Sequence, residues 1–218
     1  MIELQNVTKS YRTTTGRKFV FRNLSFSIPP GKNVAIIGRN GAGKSTMMRL
    51  LAGLDAPDSG RIVTPDSISW PVGLTGGFQG SLTGRENVKF VARVYGADRQ
   101  KLREIVAYVE DFAEIGEYFD QPVKTYSSGM RGRVAFGLSL AFDFDYYLVD
   151  EAMSVGDQKF KNRATEEFKR KIGKANVILV THGMTQVKTL CDVVLVLERG
   201  ELKKFDDVDE GIAYYKNL

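Results

Sequence analysis

Residues 38–45 have the composition of a loop that binds phosphate. They match the pattern G-x-x-x-x-G-K-[ST] at every fixed position. Glycines let backbone N–H groups surround a phosphate, and Lys44 would bridge the β- and γ-phosphates of a nucleoside triphosphate. The Ser45 hydroxyl suits the shell of a bound Mg²⁺. The alternative is a glycine-rich turn that matches by chance, but the match falls between an expected buried strand and an expected helix. With the adjoining Thr46, the predicted site contains Gly38, Arg39, Asn40, Gly41, Ala42, Gly43, Lys44, Ser45 and Thr46.

A second set of candidate residues lies where an apolar strand is expected to end. The run 146–149 is apolar and precedes two carboxylates, Asp150 and Glu151. Asp150 is placed to hold the Mg²⁺ shell, and Glu151 beyond it is placed to polarise the attacking water as a general base. A strand that ends in Asp-Glu is common in proteins, so this prediction depends on the phosphate loop.

His182, the sole histidine of the sequence, follows another apolar run, 177–181. A lone histidine is more often a structural or surface residue than a functional one. In parallel α/β sheets, however, ligands collect at the carboxyl ends of the strands. We therefore predict that three strands deliver Gly38, the Asp150 pair and His182 to one edge of a sheet.

The elements that must position these residues alternate between strands and helices. Near the N-terminus, apolar residues such as Ile2 and Leu4 alternate with polar ones, which indicates half-buried strands. Such an order predicts an α/β fold with a partly parallel sheet. The other predicted elements are a buried strand at 34–37, a helix at 47–52, strands at 177–181 and 193–197, and a terminal helix at 211–216.

The middle of the chain predicts helices. Residues 84–126 are expected to form a helical sub-domain inserted into the sheet-based core, extending to about residue 140 of a single domain, 1–218. Apolar residues here follow three- and four-residue spacing, so one helix face should pack inward. The residues of that face are Leu102, Ile105, Val106, Val109, Phe112 and Ala113.

Composition excludes several classes of protein. The 218 residues are 43% hydrophobic and 26% charged, as expected of a folded soluble protein. No apolar stretch approaches the roughly 20 residues of a spanning helix, and the N-terminus lacks the features of a signal peptide. The single cysteine, Cys191, favours a reducing compartment. The net charge of +5 is scattered among acidic residues and identifies no partner, so we expect a protein of the cytosolic side.

With these motifs in hand, the chain resembles the ATP-binding subunit of an ABC transporter over nearly its whole length. The segment 126–130, Tyr-Ser-Ser-Gly-Met, stands where that family carries its signature, Leu-Ser-Gly-Gly-Gln; Ser127 and Gly129 match it. The resemblance implies a P-loop ABC ATPase core, with a mixed sheet, flanking helices, antiparallel N-terminal strands and an inserted helical sub-domain. It also implies that the nucleotide is ATP, bound with Mg²⁺.

The family pattern further implies a homodimer, in which ATP lies between the phosphate loop of one copy and Ser127 and Gly129 of the other. Tyr11 occupies the place of the aromatic residue that stacks on adenine, although it is also typical of a plain strand aromatic. Asp157 corresponds to the D-loop residue that contacts the opposite subunit. His182 corresponds to the switch histidine, which holds the γ-phosphate.

Gln79 resembles the glutamine that senses Mg²⁺ and the attacking water in this family. It thereby joins Lys44, Glu151 and His182 among the predicted catalytic residues, and Ser45 and Asp150 among the metal ligands. Its distance along the chain to Leu82 is shorter than the family usually shows. Either a loop deletion or a glutamine without that role would explain the spacing.

Three segments, 68–74, 76–87 and 125–130, closely resemble the ATPase of bacterial capsular-polysaccharide exporters of the polysialic acid type. This resemblance implies a peripheral protein on the cytoplasmic face of the inner membrane. There, ATP hydrolysis would energise translocation of a lipid-linked polysaccharide through a separate permease, present in two copies. O-antigen and teichoic-acid export ATPases are similar more loosely and remain an alternative.

A function of a different class also stays open. ABC-type ATPases outside transport act on nucleic acid, usually with long coiled coils or a second ATPase domain in the same chain. This sequence has neither a heptad run nor a dense basic tract. We therefore expect no nucleic-acid partner.

Overall fold

The computed structural model describes residues 1–14, 16–150 and 157–218. These residues divide into two compact units. The first, here called the sheet unit, comprises the described residues of Met1–Pro71, Phe144–Glu151 and Ile172–Leu218. The second, the helical unit, comprises the described residues of Val72–Asp143 and Ala152–Lys171.

The sheet unit begins with an antiparallel sheet. Strands β1 (Ile2–Thr13) and β2 (Gly16–Ile28) form a long hairpin. Two further strands, β3 (Val34–Ile37) and β4 (Ser59–Val63), follow, and β4 pairs with β1 to give the order β2-β1-β4. Shifts of register interrupt the alternation along β1, so the sequence pattern indicates only part of these strands.

A second sheet contains β3 and the remaining strands, and its order is β5-β6-β7-β3-β8-β9. Neighbours from β5 to β8 are parallel, whereas β9 runs antiparallel to β8. This arrangement confirms the predicted mixed, partly parallel sheet with antiparallel N-terminal strands. The strands introduced here are β5 (Ile68–Pro71), β6 (Tyr146–Asp150), β7 (Asn176–Val180), β8 (Val193–Glu198) and β9 (Glu201–Phe205).

The core of the sheet unit lies around β3. All four residues of β3 are buried, as expected of a strand covered on both faces. Helix α1 (Lys44–Leu51) buries Met47 and Met48 in the same cluster, next to residues of β6, β7 and β8. Because α1 follows the phosphate loop directly, it begins three residues before the predicted helix at 47–52. Two later helices, here numbered α6 (Met184–Leu190) and α7 (Val208–Lys216), complete the unit.

The helical unit contains α2 (Gly84–Val94), α3 (Arg99–Ala113), α4 (Ser128–Leu140) and most of α5 (Gln158–Ile172). Two short 3₁₀ helices, Gly116–Asp120 and Val123–Thr125, connect α3 to α4. The predicted inward face of α3 is confirmed, since five of its six residues are buried and Leu102 is half-buried. The assignment of residues 1–218 to one domain stays a prediction.

Aromatic residues form the centre of the helical unit. The Phe112 ring of α3 stacks on Phe136 of α4 at 5.9 Å and meets Phe160 of α5 edge-on at 5.2 Å. A Cβ atom on Gly137 would lie 2.8 Å from Cδ1 of Phe112, so α3 and α4 approach more closely than alanine would allow. Among the described residues, no helix combines the length and apolar character needed to cross a bilayer.

Candidate nucleotide site

The phosphate loop joins β3 to α1, and its shape depends on glycine. Gly41 and Gly43 have φ angles of 79° and 110°, in the left-handed region that favours glycine. Gly43 is the N-cap of α1, and a Cβ atom there would lie 2.5 Å from Cγ1 of Val20. At the start of the loop, a Cβ atom on Gly38 would lie 2.4 Å from the carbonyl oxygen of Leu197. The loop therefore packs directly against β2 and β8.

Lys44 and Ser45 form the first turn of α1. The Lys44 Nζ donates hydrogen bonds to the carbonyl oxygens of Gly38 at 2.7 Å and Arg39 at 3.3 Å, so its side chain spans the loop. Ser45 is exposed and Thr46 is half-buried. The first N–H groups of a helix have no intrahelical partner, and they favour an anion at this end.

Three parallel strands bring the other predicted residues to the loop. The order β6-β7-β3 places the strand before Asp150 and the strand before His182 next to the strand before Gly38. Asp150 is directly opposite Val180 in register, so the carboxyl ends of β6 and β7 coincide. Asp150 is half-buried and His182 is exposed.

Asp150, His182 and most of the phosphate loop, but not Gly38, line one cavity of about 520 Å³ within the sheet unit. Arg39 and Ala42 instead line a neighbouring hollow of about 540 Å³, where the Arg39 guanidinium donates to the carbonyl oxygen of Leu218. Arg39 and Ala42 therefore stay outside the first cavity, while the other loop residues after Gly38 face it. The first cavity is lined by Tyr11, Lys18, Val20, Asn40, Gly41, Gly43, Lys44, Ser45, Thr46, Asp150, Val180, Thr181 and His182.

Sequence reasoning missed four residues of this cavity: Lys18, Val20, and the pair Val180 and Thr181 just before His182. Lys18 is directly opposite Tyr11 in the β1–β2 hairpin, and Val20 lies two residues further along β2. The turn around Thr13 and Gly16 was the available signal, because pairing outward from that turn would have placed Lys18 beside Tyr11.

Ser127 and Gly129 lie at the start of α4 in the helical unit. The Ser127 side chain is the N-cap of the helix, and its Oγ accepts a hydrogen bond from the Met130 N–H at 3.2 Å. Ser127 itself is exposed. Among the described residues outside the local helix backbone, a Cβ atom on Gly129 would contact only Ser127 Oγ, at 3.8 Å, so these residues leave the helix start sterically open.

Gln79 is exposed, while its backbone is held by a buried amide. Oδ1 of Asn87 accepts from the Gln79 N–H at 2.8 Å, and Nδ2 of Asn87 donates to the Gln79 carbonyl oxygen at 3.1 Å. Asn87 is only 3% exposed, and its role was not predicted from the sequence. The loop that carries Gln79 is thus fixed from α2.

Asp157 begins the last described segment of the helical unit. Its carboxylate accepts from the Phe160 N–H at 2.9 Å and from the Arg133 guanidinium at 2.7 Å. These two hydrogen bonds, the one from Phe160 foremost, hold the pKa of Asp157 below its usual value. Glu151, and the segment 154–156 that precedes Asp157, lie outside the described residues.

Comparisons with known proteins agree with this geometry. The sequence profile of the family described as ABC transporter matches residues 21–154. The polysialic acid transport ATP-binding protein KpsT of Escherichia coli is 58% identical over 217 residues, which are 99% of this chain and 99% of that protein. The capsule polysaccharide export ATP-binding protein CtrD of Neisseria meningitidis serogroup B is 44% identical over 218 residues, the full length of both chains.

Solved structures agree on the fold. An ATP-binding cassette in a dimeric post-hydrolysis state, bound to ADP and Pi, superposes with a TM-score of 0.74. The match covers 94% of this chain and 98% of that chain, at 24% sequence identity. The predicted fold class is therefore confirmed. Together with the profile and the full-length relatives, it establishes that the chain belongs to the ABC transporter family, as an ATP-binding ATPase subunit.

Proposed function

We propose that this ATPase energises export of a capsular polysaccharide across the bacterial inner membrane, acting on its cytoplasmic face with a separate permease. KpsT and CtrD, whose names give polysialic acid transport and capsule polysaccharide export, match the chain over its full length. We keep the prediction of no nucleic-acid partner.

The observation that carries the ATPase chemistry is the single cavity that Lys44, Ser45, Asp150 and His182 share. These side chains come from three separate segments of the sequence, and each suits one part of a bound triphosphate. Lys44 and the start of α1 favour the β- and γ-phosphates, and His182 favours the γ-phosphate. Charge that develops on the transferring phosphoryl group is stabilised by such positioned donors.

The cavity also fits a Mg²⁺ ion. Mg²⁺ is usually held by one or two protein oxygens together with substrate phosphates, rather than by a cage of carboxylates. The Ser45 hydroxyl and the Asp150 carboxylate supply such oxygens, and the described residues contain no group of three or more acidic, histidine or cysteine side chains arranged to hold a metal ion. When bound, the ion would neutralise charge on the β- and γ-phosphates. Gln79, as a further ligand, stays a prediction.

Glu151 is the proposed general base. It would accept a proton from the attacking water while the water oxygen bonds to the γ-phosphorus and the bond to the ADP oxygen breaks, giving ADP and phosphate. A base must lie within hydrogen-bond reach of the proton it takes, and Glu151 directly follows Asp150 of the cavity. The assignment of Glu151 as the general base rests on the sequence alone.

Ser127, Gly129 and Asp157 are proposed to act across a homodimer. Ser127 is exposed at an open helix start, a setting that favours a phosphate from a second copy. Asp157 is fixed by Arg133 and would contact the opposite subunit from that position. Two copies of the ATPase would then serve two copies of the permease.

The permease is proposed to dock on the helical unit, within residues 84–126. Phe90 and Val94, one turn apart on α2, are 61% and 66% exposed, and Tyr95 beside them is 50% exposed. Exposed apolar side chains this close together are typical of a protein contact.

Replacing Phe90 and Val94 with serine should abolish copurification with the permease and leave ATP affinity unchanged. Val63→Ser, at a 42% exposed site of the sheet unit, is the control.

The proposed function is tested by placing Lys44→Ala in the chromosomal gene and following the surface polysaccharide. Finished polymer should accumulate in the cytoplasm, and its composition would identify the cargo. The control is Lys174→Ala, which changes an exposed lysine and should leave export intact. Unchanged surface polysaccharide in the Lys44→Ala strain, with the protein expressed, would show that the cargo is a different one.

A further inference from the structure

A nearly buried ion pair lies behind Tyr11. The Lys9 Nζ is 2.6 Å from Oδ1 of Asp55 and donates a second hydrogen bond, at 2.7 Å, to the carbonyl oxygen of Ala56. The two charged side chains are only 9% and 18% exposed. Removing charges from water costs free energy unless the geometry is good and further hydrogen bonds are made. The arrangement here meets both conditions.

The second carboxylate oxygen of Asp55 holds the Tyr11 hydroxyl. Oδ2 accepts a hydrogen bond from the phenol at 2.9 Å, and the Lys9 ammonium lies 5.2 Å from the centroid of the Tyr11 ring. The hydrogen bond from Lys9 is the main cause that holds the pKa of Asp55 below its usual value, against the effect of burial. Asp55 is therefore ionised and accepts only, so Tyr11 must be the donor.

Asp55 is in turn fixed to the end of α1. The Asp55 and Leu54 N–H groups both donate to the carbonyl oxygen of Arg49, at 3.2 and 2.9 Å. The opposite end of α1 begins with Lys44 of the phosphate loop. One short helix thus connects the phosphate-binding residues to the residue that orients Tyr11, and Tyr11 and Lys44 line the same cavity.

We propose that Asp55, together with Lys9, is a positioning residue for the adenine base, because it fixes the Tyr11 ring before the nucleotide binds. Fixing a side chain in its bound orientation removes part of the entropy cost of binding. The inference rests on the proposed function, in which Tyr11 stacks on the adenine of ATP. It adds Asp55 and Lys9, two residues outside the cavity lining, to the determinants of base recognition.

The test compares a ligand that has a base with one that lacks it. Dissociation constants of the full chain are measured for Mg-ATP, and for inorganic tripolyphosphate with Mg²⁺ by competition. Tyr11→Phe removes only the hydroxyl, and Asp55→Ala removes the acceptor. Both variants should bind ATP about three- to tenfold more weakly, the range expected for one side chain that must be ordered on binding. Tripolyphosphate affinity should stay within about twofold, because the phosphate loop is unchanged.

Asp58→Ala is the matched control. Oδ2 of Asp58 accepts hydrogen bonds from the N–H and the hydroxyl of Ser10, so it ties the same loop to the same strand one residue away from Tyr11. This variant should bind both ligands as the parent chain does. Equal losses for ATP and tripolyphosphate, or an Asp58→Ala effect as large as that of Asp55→Ala, would instead indicate a general structural role and overturn the proposal.

Two further variants separate this proposal from the proposed function. If Lys44→Ala leaves ATP affinity unchanged, the nucleotide site itself is wrong. If Tyr11→Ala leaves it unchanged, stacking on Tyr11 is wrong, and the positioning role fails with it. If Tyr11→Ala weakens ATP binding while Tyr11→Phe and Asp55→Ala do not, only the positioning role is wrong. Tyr11→Phe leaves the Lys9–Asp55 pair in place, so the test does not depend on whether Asp55→Ala folds.

Discussion

The two units of the chain carry their predicted site residues in different ways. In the sheet unit, Tyr11, Lys44, Asp150 and His182 come from distant parts of the sequence and line one cavity. In the helical unit, Ser127 caps a helix and Asp157 pairs with Arg133. A groove of about 310 Å³ also lies between α2 and α3 of the helical unit, but neither Ser127 nor Asp157 lines it. We therefore propose that the sheet unit binds the triphosphate by itself, whereas the residues of the helical unit act only against a second copy of the chain.

The largest effect is expected from a change at Glu151, which should lower ATP turnover without changing ATP affinity. Glu151→Gln should lower ATP turnover by about 10²–10⁴-fold, the usual cost of losing a general base. Equilibrium ATP affinity should stay within about twofold, because the cavity residues are unchanged. Steady-state hydrolysis and binding measured on the same preparation check both statements. Glu166→Gln, an exposed carboxylate of α5, is the control, and a turnover near that of the parent chain in Glu151→Gln would refute the base assignment.

A second change should break binding within the sheet unit. Gly43→Ala places a Cβ atom 2.5 Å from Cγ1 of Val20 at a φ of 110°, so the loop must move. Overpacking typically costs about 1–3 kcal/mol, and we expect ATP affinity to fall about 10- to 100-fold.

Gly53→Ala is the control for backbone strain alone. It lies just past the other end of α1, with a φ of 66°, and no described residue beyond its two chain neighbours comes within 4 Å of a Cβ atom placed there. Its ATP affinity, measured by titration calorimetry, should match that of the parent chain. Equal losses in Gly43→Ala and Gly53→Ala would mean that contact with Val20 is irrelevant.

A third change tests the proposal that Ser127 of the helical unit acts only against a second copy of the chain. Ser127→Ala removes the N-cap of α4 and should destabilise the chain by about 1 kcal/mol. ATP affinity of the isolated chain should not change, but turnover by the assembled transporter should fall. Asp98→Ala removes the equivalent cap of α3 in the same unit and should cost similar stability with normal turnover. Matching turnover in the two variants would leave Ser127 as a cap only.

The smallest effect on function is expected at Tyr126, which stands where the family signature has leucine. Its hydroxyl accepts a hydrogen bond from the Gly84 N–H at 3.1 Å in a buried setting. Tyr126→Phe leaves that N–H unsatisfied and should cost about 1–3 kcal/mol of stability. ATP affinity and turnover should both be unchanged. Urea unfolding checks the first part, and a loss of turnover would give Tyr126 a role in the site.

The sequence signals for Lys44, Asp150 and His182, which the structure brings to one cavity, are local. A continuous glycine-rich motif, and polar residues directly after apolar runs, identify the phosphate loop, Asp150 and His182 without any knowledge of pairing. The anchor of Tyr11 could not be predicted in this way, since Asp55 lies 44 residues further along the chain. The ion pairs of Arg85 with Glu110 and Asp120 could not be predicted for a similar reason, since these residues meet only after α2, α3 and the 3₁₀ helix have packed.

The position of β3 in its sheet has a consequence for how the protein is made. Both neighbours of this wholly apolar strand, β7 and β8, come from the last quarter of the chain. During synthesis, the phosphate loop and β3 leave the ribosome long before either partner exists. Pairings between residues so far apart in sequence form slowly, and unpaired apolar edges promote aggregation. Nascent chains that stop before β7 should therefore depend on chaperones, and the nucleotide can stabilise the fold only once translation is nearly complete.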